Sequence, residues 1–404
     1  MDPLTHTLVG GSLAATRLGE KTRLATASCV IGANLPDVDV LAFAWGVDAA
    51  LGFRRGWTHG VLALVVLPLA LAGLLRLWDR WWPPGRWPPR WWSALRRVER
   101  SRPPGEGAGD QPPRRLSPGW LVALCYLSVL THPALDWLNN YGMRWLMPFD
   151  GRWFYGDSVF IVDPWLWLLL GTGWLVGRRR SWGLALLVGA PGALLLVRTV
   201  MRAPEFATAV ALVVGALLTL LWWKPRHEIV GPRAATIGLT LGAAYIAALI
   251  AVHAMSESRV RGELAAAGFT PLDALLVAPM PANPLHWDVV FSHRETLHAG
   301  RFDWREGGLV LGGFERPVAA ASDLWPRIEE LGEPAGFLRW TRLPWLEEAP
   351  EEGYVYLMDA RYTRSRTTGF GGTRVLLEEV DAGAVSRRER QRDSSRESGK
   401  GHLR

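Results

Sequence analysis

Six stretches of this 404-residue chain are long and apolar enough to cross, or nearly cross, a lipid bilayer, and this constrains the fold more than any other feature. A helix spanning the hydrocarbon core takes about 20 mostly apolar residues. The stretches run from His59 to Trp78, Gly119 to Trp137, Val159 to Val176, Trp182 to Val200, Phe206 to Trp223 and Ala234 to Ala254. Two shorter apolar stretches precede them, Thr7 to Leu18 and Leu24 to Ala33, joined by the polar turn Gly19 to Arg23. They predict a helical hairpin whose second arm breaks at Asn34-Leu35-Pro36-Asp37, because proline removes a backbone donor and pushes its predecessor out of helical geometry. The expected fold class is therefore an α-helical polytopic membrane protein of about six to eight membrane helices, counting the short hairpin. The 49% hydrophobic content and 23 Trp agree with that class. Asp2 and His6, with no basic stretch ahead of an apolar core, do not read as a cleavable signal peptide.

Residues 79–118 carry nine Arg against four acidic residues, amid Pro, Gly and Trp, and read as a basic, partly disordered cytoplasmic loop. Arg178-Arg179-Arg180 and Lys224-Pro225-Arg226 fall on the same side when the helices are threaded alternately, so everything after Ala254 is expected on the outer face. The net charge of +7 is explained by these loops, and no nucleic-acid partner is expected. Residues 1–254 then form the membrane domain and 255–382 a small soluble α+β domain. Strands are expected at Trp287 to Phe291, Gly308 to Phe314, Gly353 to Asp359 and Thr373 to Val380, with a short helix over Asp323 to Leu331. Residues 383–404 are charged and nearly free of apolar side chains, a disordered tail.

Ionisable side chains in membrane segments are costly, so each marks a functional hypothesis. This chain gathers His6, Asp37, Asp39, His59, His132, Asp136 and Asp163 in its first 163 residues, and threading places all seven at the outer end of the helices. His132 and Asp136, four apart, share one helical face with Cβ atoms about 5–6 Å apart, which suits two ligands of one metal and equally suits a simple hydrogen bond. Asp37 and Asp39 on the broken helix offer two carboxylates, and carboxylate with imidazole suits zinc, manganese or iron; either Asp can instead cap a helix. Three of these histidines follow a threonine: Thr5-His6, Thr58-His59 and Thr131-His132. Such a threonine can hold the second imidazole nitrogen and set the tautomer that a ligand requires. Asp163-Pro164 reads equally as a ligand and as a helix start. The loop Asn139-Asn140-Tyr141-Gly142 follows the HxxxD helix and either lines the pocket or simply turns the chain. His253, His286, His293 and His298 lack partner spacing. Cys29 and Cys125, both inside apolar runs, build neither a disulfide framework nor a zinc finger. There is no phosphate-binding Gly-rich loop with Lys, no GxSxG elbow and no HExxH helix.

The ordered motifs MDPLTHTLVGGSLA, ANLPDVD, GWTHG, THPALDWLNNYG with the following MPF, and VDP resemble the YdjM family of membrane-bound, metal-dependent hydrolases over about residues 1–170. The resemblance implies a multi-pass inner-membrane protein with a hydrolytic metal site, its motif residues falling on His6, Asp37, Asp39, His59, His132, Asp136 and Asp163. The HxxxD helix is also distantly similar to the zinc-dependent phospholipase C and nuclease group, a soluble group with additional His ligands that have no counterpart here; a phosphoester is the substrate class this suggests. The expected function is a hydrolase in which His6, Asp37, His59, His132 and Asp136 hold one or two divalent metals, zinc first and manganese or iron next. Asp39 or Asp163 serves as general base, and the substrate is a membrane lipid or lipid-linked ester. A transporter or cation-binding protein using the same cluster is the competing expectation. A plain membrane anchor leaves the cluster without a purpose.

Overall fold

The structure is a computed structural model that describes residues 1–81, 115–176, 227–368 and 370–382. The apolar stretches 182–200 and 206–223, most of the basic loop 79–118 and the tail 383–404 lie outside the described residues. The chain divides into two compact units, one of Met1–Asp39, Arg55–His253 and Pro279–Pro284, the other of Val40–Arg54, Ala254–Ala278 and Leu285–Arg404.

In the first unit the hairpin forms as its pattern predicts. Helix α1 (Pro3–Ala15) starts on Asp2, whose side chain accepts from the backbone N–H groups of Leu4 and Thr5, with Pro3 in the first turn where its missing N–H costs nothing. A 3-10 turn, Arg17–Glu20, leads into α2 (Ala25–Asn34). At Pro36 the α-helical ladder gives way to a 3-10 stretch, Leu35–Trp45, which carries Asp37 and Asp39 out of α2. After α3 (Val47–Phe53, in the second unit) come α4 (Val61–Trp81) and α5 (Pro118–Trp137). The buried side of α5 is a single stripe: Leu121, Leu124, Cys125, Ser128, Val129, His132, Leu135 and Asp136. That spacing of three and four keeps one face inward, and the stripe turns from apolar to ionisable in its last two turns. Helices in a membrane gain contact by close approach rather than by escaping water. Gly32 of α2 supplies that approach, since a Cβ there would lie 2.1 Å from the Ser128 hydroxyl of α5.

Among the described residues four helical segments are long and apolar enough to cross a membrane: Ala25–Trp45, Val61–Trp81, Pro118–Trp137 and Pro232–Ala266. Helix α6 (Pro164–Val176) has 13 described residues, about 20 Å, short of a hydrocarbon core of about 30 Å. Helix α7 (His227–Ala266) runs on for twelve residues beyond Ala254, where the sequence predicted an end. The polar continuation stays helical because Glu257 pairs with Arg261 and Arg259 with Glu263, both four residues apart on one face.

The second unit contains two small sheets. One has the order β1 (Ala274–Met280), β2 (Asn283–His293), β3 (Thr296–Asp303), β4 (Gly308–Pro317); the other has β5 (Pro344–Ala349), β6 (Tyr354–Asp359), β7 (Gly372–Leu376). They share a core that includes Leu276, Val290, Leu297, Trp345, Tyr356 and Met358. Two short helices, α8 (Trp325–Leu331) and α9 (Ala335–Trp340), lie between the sheets in sequence. The strand expected over Thr373 to Val380 stops at Leu376, and the chain from Leu377 turns helical.

Candidate metal centre

Two interruptions in regular structure and one helix end bring the ionisable residues together. Asp37 and Asp39 come from the 3-10 stretch after α2, His59 from the turn before α4, and His132 with Asp136 from the last two turns of α5. Asp37, His59, His132 and Asp136 each offer a ligand atom, and the four atoms lie within 4.8 Å of one another. His59 Nε2 is 3.4 Å and His132 Nε2 3.5 Å from Asp136 Oδ2, and His132 Nε2 is 3.7 Å from Asp37 Oδ1. His59, His132 and Asp136 are completely buried.

The other side of each imidazole is occupied. His132 Nδ1 is 2.7 Å from the carbonyl of Ala33, so Nδ1 carries the proton and Nε2 keeps its lone pair towards the cluster. His59 Nδ1 faces the Thr58 hydroxyl at 2.9 Å and Asp39 Oδ2 at 3.3 Å. Thr58 thus does what the repeated Thr-His pairing suggested. Thr131 does not: its hydroxyl donates to the backbone carbonyl of Ser128. Thr5 bonds Asp2 and accepts from the Trp167 indole, tying α1 to α6.

A cation fits the donors that remain. His59 Nε2, His132 Nε2 and Asp136 Oδ2 are buried and make no hydrogen bond, although Asp136 Oδ2 is ion-paired with the Arg55 guanidinium. The two imidazole nitrogens left without a partner would each carry a desolvation penalty. Two imidazole nitrogens and two carboxylate oxygens are a donor set suited to zinc, manganese or iron(II).

The remaining predicted residues take different places. His6 stands beside the four, its ring stacked on His132 with centroids 3.7 Å apart and its Nε2 3.3 Å from Asp136 Oδ1. Asp39 stands behind His59 and also accepts from the backbone N–H of Arg55 at 2.8 Å. Asp163 is not brought to the cluster. Its Oδ1 accepts from the N–H groups of Trp165 and Leu166 at the start of α6, and its Oδ2 accepts from the Tyr245 hydroxyl of α7.

Sequence reasoning missed Arg55. Its guanidinium lies along the Asp136 carboxylate, Nε 3.1 Å from Oδ2 and Nη2 3.3 Å from Oδ1. It also donates to Asn139 Oδ1 at 2.8 Å and to the Gly142 carbonyl at 3.2 Å, and it lies 4.4 Å from the Tyr141 ring centre. The Asn139-to-Gly142 loop therefore clasps the arginine that orients Asp136. The available signal was a charged Arg54-Arg55 pair immediately ahead of the GWTHG motif, in a stretch otherwise poor in charge.

Helices able to cross a membrane, together with a largely buried His/Asp cluster able to hold a metal ion, define the class of protein. The chain belongs to the family of the YdjM inner membrane protein, whose model matches residues 1–204. It is similar to the inner membrane protein YbcI of Escherichia coli (strain K12), 29% identical over 177 residues that cover 37% of this chain and 82% of that protein. No solved structure matches.

Proposed function

We propose that the protein is a membrane-bound, metal-dependent hydrolase acting on a lipid or lipid-linked ester, a phosphoester first among these, with its site at the outer leaflet. The observation that carries the reading is the convergence of buried ligand atoms from His59, His132 and Asp136 beside Asp37, the two imidazole nitrogens without a hydrogen-bond partner. A divalent ion held there, zinc first by its donor set, supplies Lewis-acid polarisation of the scissile group and acidifies water at neutral pH.

The residues divide the remaining work. Ala33 and the Asp39–Thr58 pair aim the two imidazoles, and Arg55 fixes the plane of Asp136. Asp37 is the most open of the four, with its side chain 15% exposed, so water and substrate approach from its side. Asp39 acts through His59 as a positioning residue, and His6 packs against His132 as a further ligand when a second ion binds. Asp163 serves α6 as its cap rather than the reaction. Three basic segments, 79–118, 178–180 and 224–226, support a cytoplasmic side opposite the cluster, which leaves the second unit extracytoplasmic. A headgroup can then reach the metal while its chains stay in the bilayer.

Elemental analysis of detergent-purified protein tests this, comparing wild type with His132→Ala and Asp37→Ala at equal monodispersity. Near-stoichiometric zinc, manganese or iron that is lost in both variants supports the site and opens a screen of phospholipid and lipid-linked phosphoesters. Well-folded wild type that takes up no metal on reconstitution sinks the hydrolase and favours cation or proton transport by the same cluster.

A further inference from the structure

The glycines of the GWTHG motif and the residues just after the Asn139-to-Gly142 loop meet in the first unit, around the turn that carries His59. Among the four candidate ligands, His59 alone stands on neither an α-helix nor a 3-10 stretch. Its turn is closed by the Gly56 carbonyl, which accepts from the N–H of His59 at 3.0 Å and of Gly60 at 2.7 Å. Arg55, at the head of the turn, has φ of 52°, in the left-handed region that is unfavourable for a residue with a side chain. A ligand on such a turn needs support from outside it.

Residues 144–147 supply that support. The Arg144 N–H donates to the Arg55 carbonyl at 2.9 Å, and the Trp145 carbonyl accepts from the Val61 N–H at 2.9 Å, so the two segments are bonded at both ends of the turn. Between these bonds both motif glycines face the segment. A Cβ on Gly60 would overlap the Met147 carbonyl oxygen. A Cβ on Gly56 would lie 2.5 Å from Arg144 Nη2 and 2.8 Å from Cζ, and its three nearest atoms all belong to that guanidinium. Gly56 does not have a positive φ, so the packing of Arg144, and not the backbone, keeps a side chain out of this position. Arg144 is itself buried, its guanidinium 5.0 Å from the Trp153 ring centre, and Met143 beside it is bridged to Phe154 by two backbone bonds.

We propose that Arg144 is a positioning residue for His59: its guanidinium, packed on Gly56, holds the turn so that His59 Nε2 stays aimed at Asp136 beside His132. The functional consequence rests on the metal reading above, whereas the packing of Arg144 on the turn does not. Charge and packing make opposite predictions here. A cation near a divalent-metal site repels the metal, so an arginine acting by charge alone weakens binding and its removal tightens it. An arginine that holds a ligand in place strengthens binding, and its removal loosens it.

The test uses full-length protein in detergent, as wild type, Arg144→Ala, Arg144→Lys, Gly56→Ala and the double variant Gly56→Ala/Arg144→Ala. Zinc affinity is measured by competition with a chelator, ligand geometry by the visible spectrum of the cobalt(II)-loaded protein, and the turn by amide exchange over residues 57–61. In Arg144→Ala, zinc affinity is expected to fall about 10-fold, as for loss of a partner behind a ligand. The cobalt bands are expected to shift, and exchange over 57–61 to rise about fivefold. Arg144→Lys keeps the charge without the planar group and is expected to recover little. Gly56→Ala displaces the guanidinium and is expected to match Arg144→Ala, and the double variant to be no worse than Arg144→Ala alone, the non-additivity of a direct contact. Arg144→Lys and Gly56→Ala carry the test if the alanine variants do not purify as single species. Zinc affinity unchanged or raised in Arg144→Ala, an unaltered cobalt spectrum, or losses that add in the double variant overturn the proposal. A wild type that binds neither zinc nor cobalt defeats the metal reading instead. Exchange over 57–61 then decides the proposal: faster exchange in Arg144→Ala supports it, and wild-type rates overturn it.

Discussion

Among the described residues each compact unit buries a group of charged side chains, and the two groups are built on opposite principles. In the second unit Asp359 and Arg361 are completely out of solvent, yet neither leaves a buried polar atom without a partner. Asp359 accepts from the Thr341 hydroxyl, from the N–H groups of Arg342 and Arg361 and from the Arg361 guanidinium, which in turn donates to the Trp340 carbonyl and lies over the Trp340 ring. In the first unit His59, His132 and Asp136 are buried as deeply, yet the imidazole nitrogens that they turn towards Asp136 make no hydrogen bond. A saturated network at α9 and β6 is a device of architecture. An unsaturated one whose ligand atoms converge could hold a metal ion.

The comparison is broken most severely by removing one partner of the saturated pair. Asp359→Ala leaves the Arg361 guanidinium buried without a counter-charge, and breaking a buried pair this way costs about 3–5 kcal/mol. Chemical denaturation of the variant is expected to show that loss in the transition of the C-terminal domain. Acid acts on the same group. Burial pushes the Asp359 carboxyl up, but the Arg361 charge and the amide donors outweigh it and hold the carboxyl below the ordinary range. A depressed folded value means that the stabilisation is present above the unfolded value near pH 4 and is lost as pH falls below it. The wild-type transition should therefore weaken below about pH 4, and the variant should lack that portion of the slope. A variant as stable as wild type at neutral pH would show that the pair is dispensable.

The converse change belongs to the other cluster. Asp136→Asn keeps the shape of the side chain and an oxygen for Arg55, but removes a ligand charge that faces two imidazoles. Metal affinity is expected to fall by more than about 100-fold, beyond what losing an outer partner costs, while the denaturation of the C-terminal domain stays at its wild-type midpoint. Metal retained at full occupancy would remove Asp136 from the ligand set.

How much of this was readable in the sequence depends on the range over which each residue finds its partners. The broken second arm was legible because Pro36 acts on its immediate neighbours, and the HxxxD face of α5 because four residues make one helical turn. The gathering of Asp37, His59, His132 and Asp136 was legible because ionisable groups are conspicuous in apolar surroundings. Arg55 was not, since its acceptors at Asp136, Asn139 and Gly142 lie more than eighty residues on and no local period links them. The segment Val40–Arg54 falls inside the membrane domain expected over residues 1–254, and only the packing of α3 on α9 reveals where it belongs. Among the strands, β1 is a short apolar run, Ala274–Met280, without alternation, and β3 loses its alternation at the irregularity between His298 and Gly300. The end of α7 was misplaced because composition changes at residue 255, whereas the helix continues on its own charge pairs.

A smaller effect sharpens the distinction between ligands and the groups behind them. Asp39→Asn preserves an acceptor for Arg55 N–H but removes the carboxylate that faces His59 Nδ1, so the imidazole is held less firmly in the required tautomer. Metal affinity is expected to drop about 10- to 100-fold, less than for Asp136→Asn, with occupancy restored at high metal concentration. A loss as complete as that of Asp136→Asn would make Asp39 a ligand in its own right.

The smallest effect is expected where a charged pair is neither saturated architecture nor an open site. His286 and Asp303 face each other across β2 and β3, Nδ1 to Oδ2 at 2.8 Å, in register opposite one another and partly open to solvent. Burial raises the Asp303 carboxyl, while the His286 contact and the N–H groups of Arg305 and Glu306 pull it below its ordinary value. The resulting stability is present above the unfolded carboxylate value and is lost as pH falls through the folded one. Because solvent and salt screen such a pair, Asp303→Asn should cost no more than about 1 kcal/mol at neutral pH. The difference between variant and wild type should close as the pH is lowered, which paired denaturation curves at neutral and acid pH will show. A cost as large as that of Asp359→Ala would mean that partial exposure does not separate the two kinds of pair, and that the contrast between the saturated and the open cluster must rest on partner geometry alone.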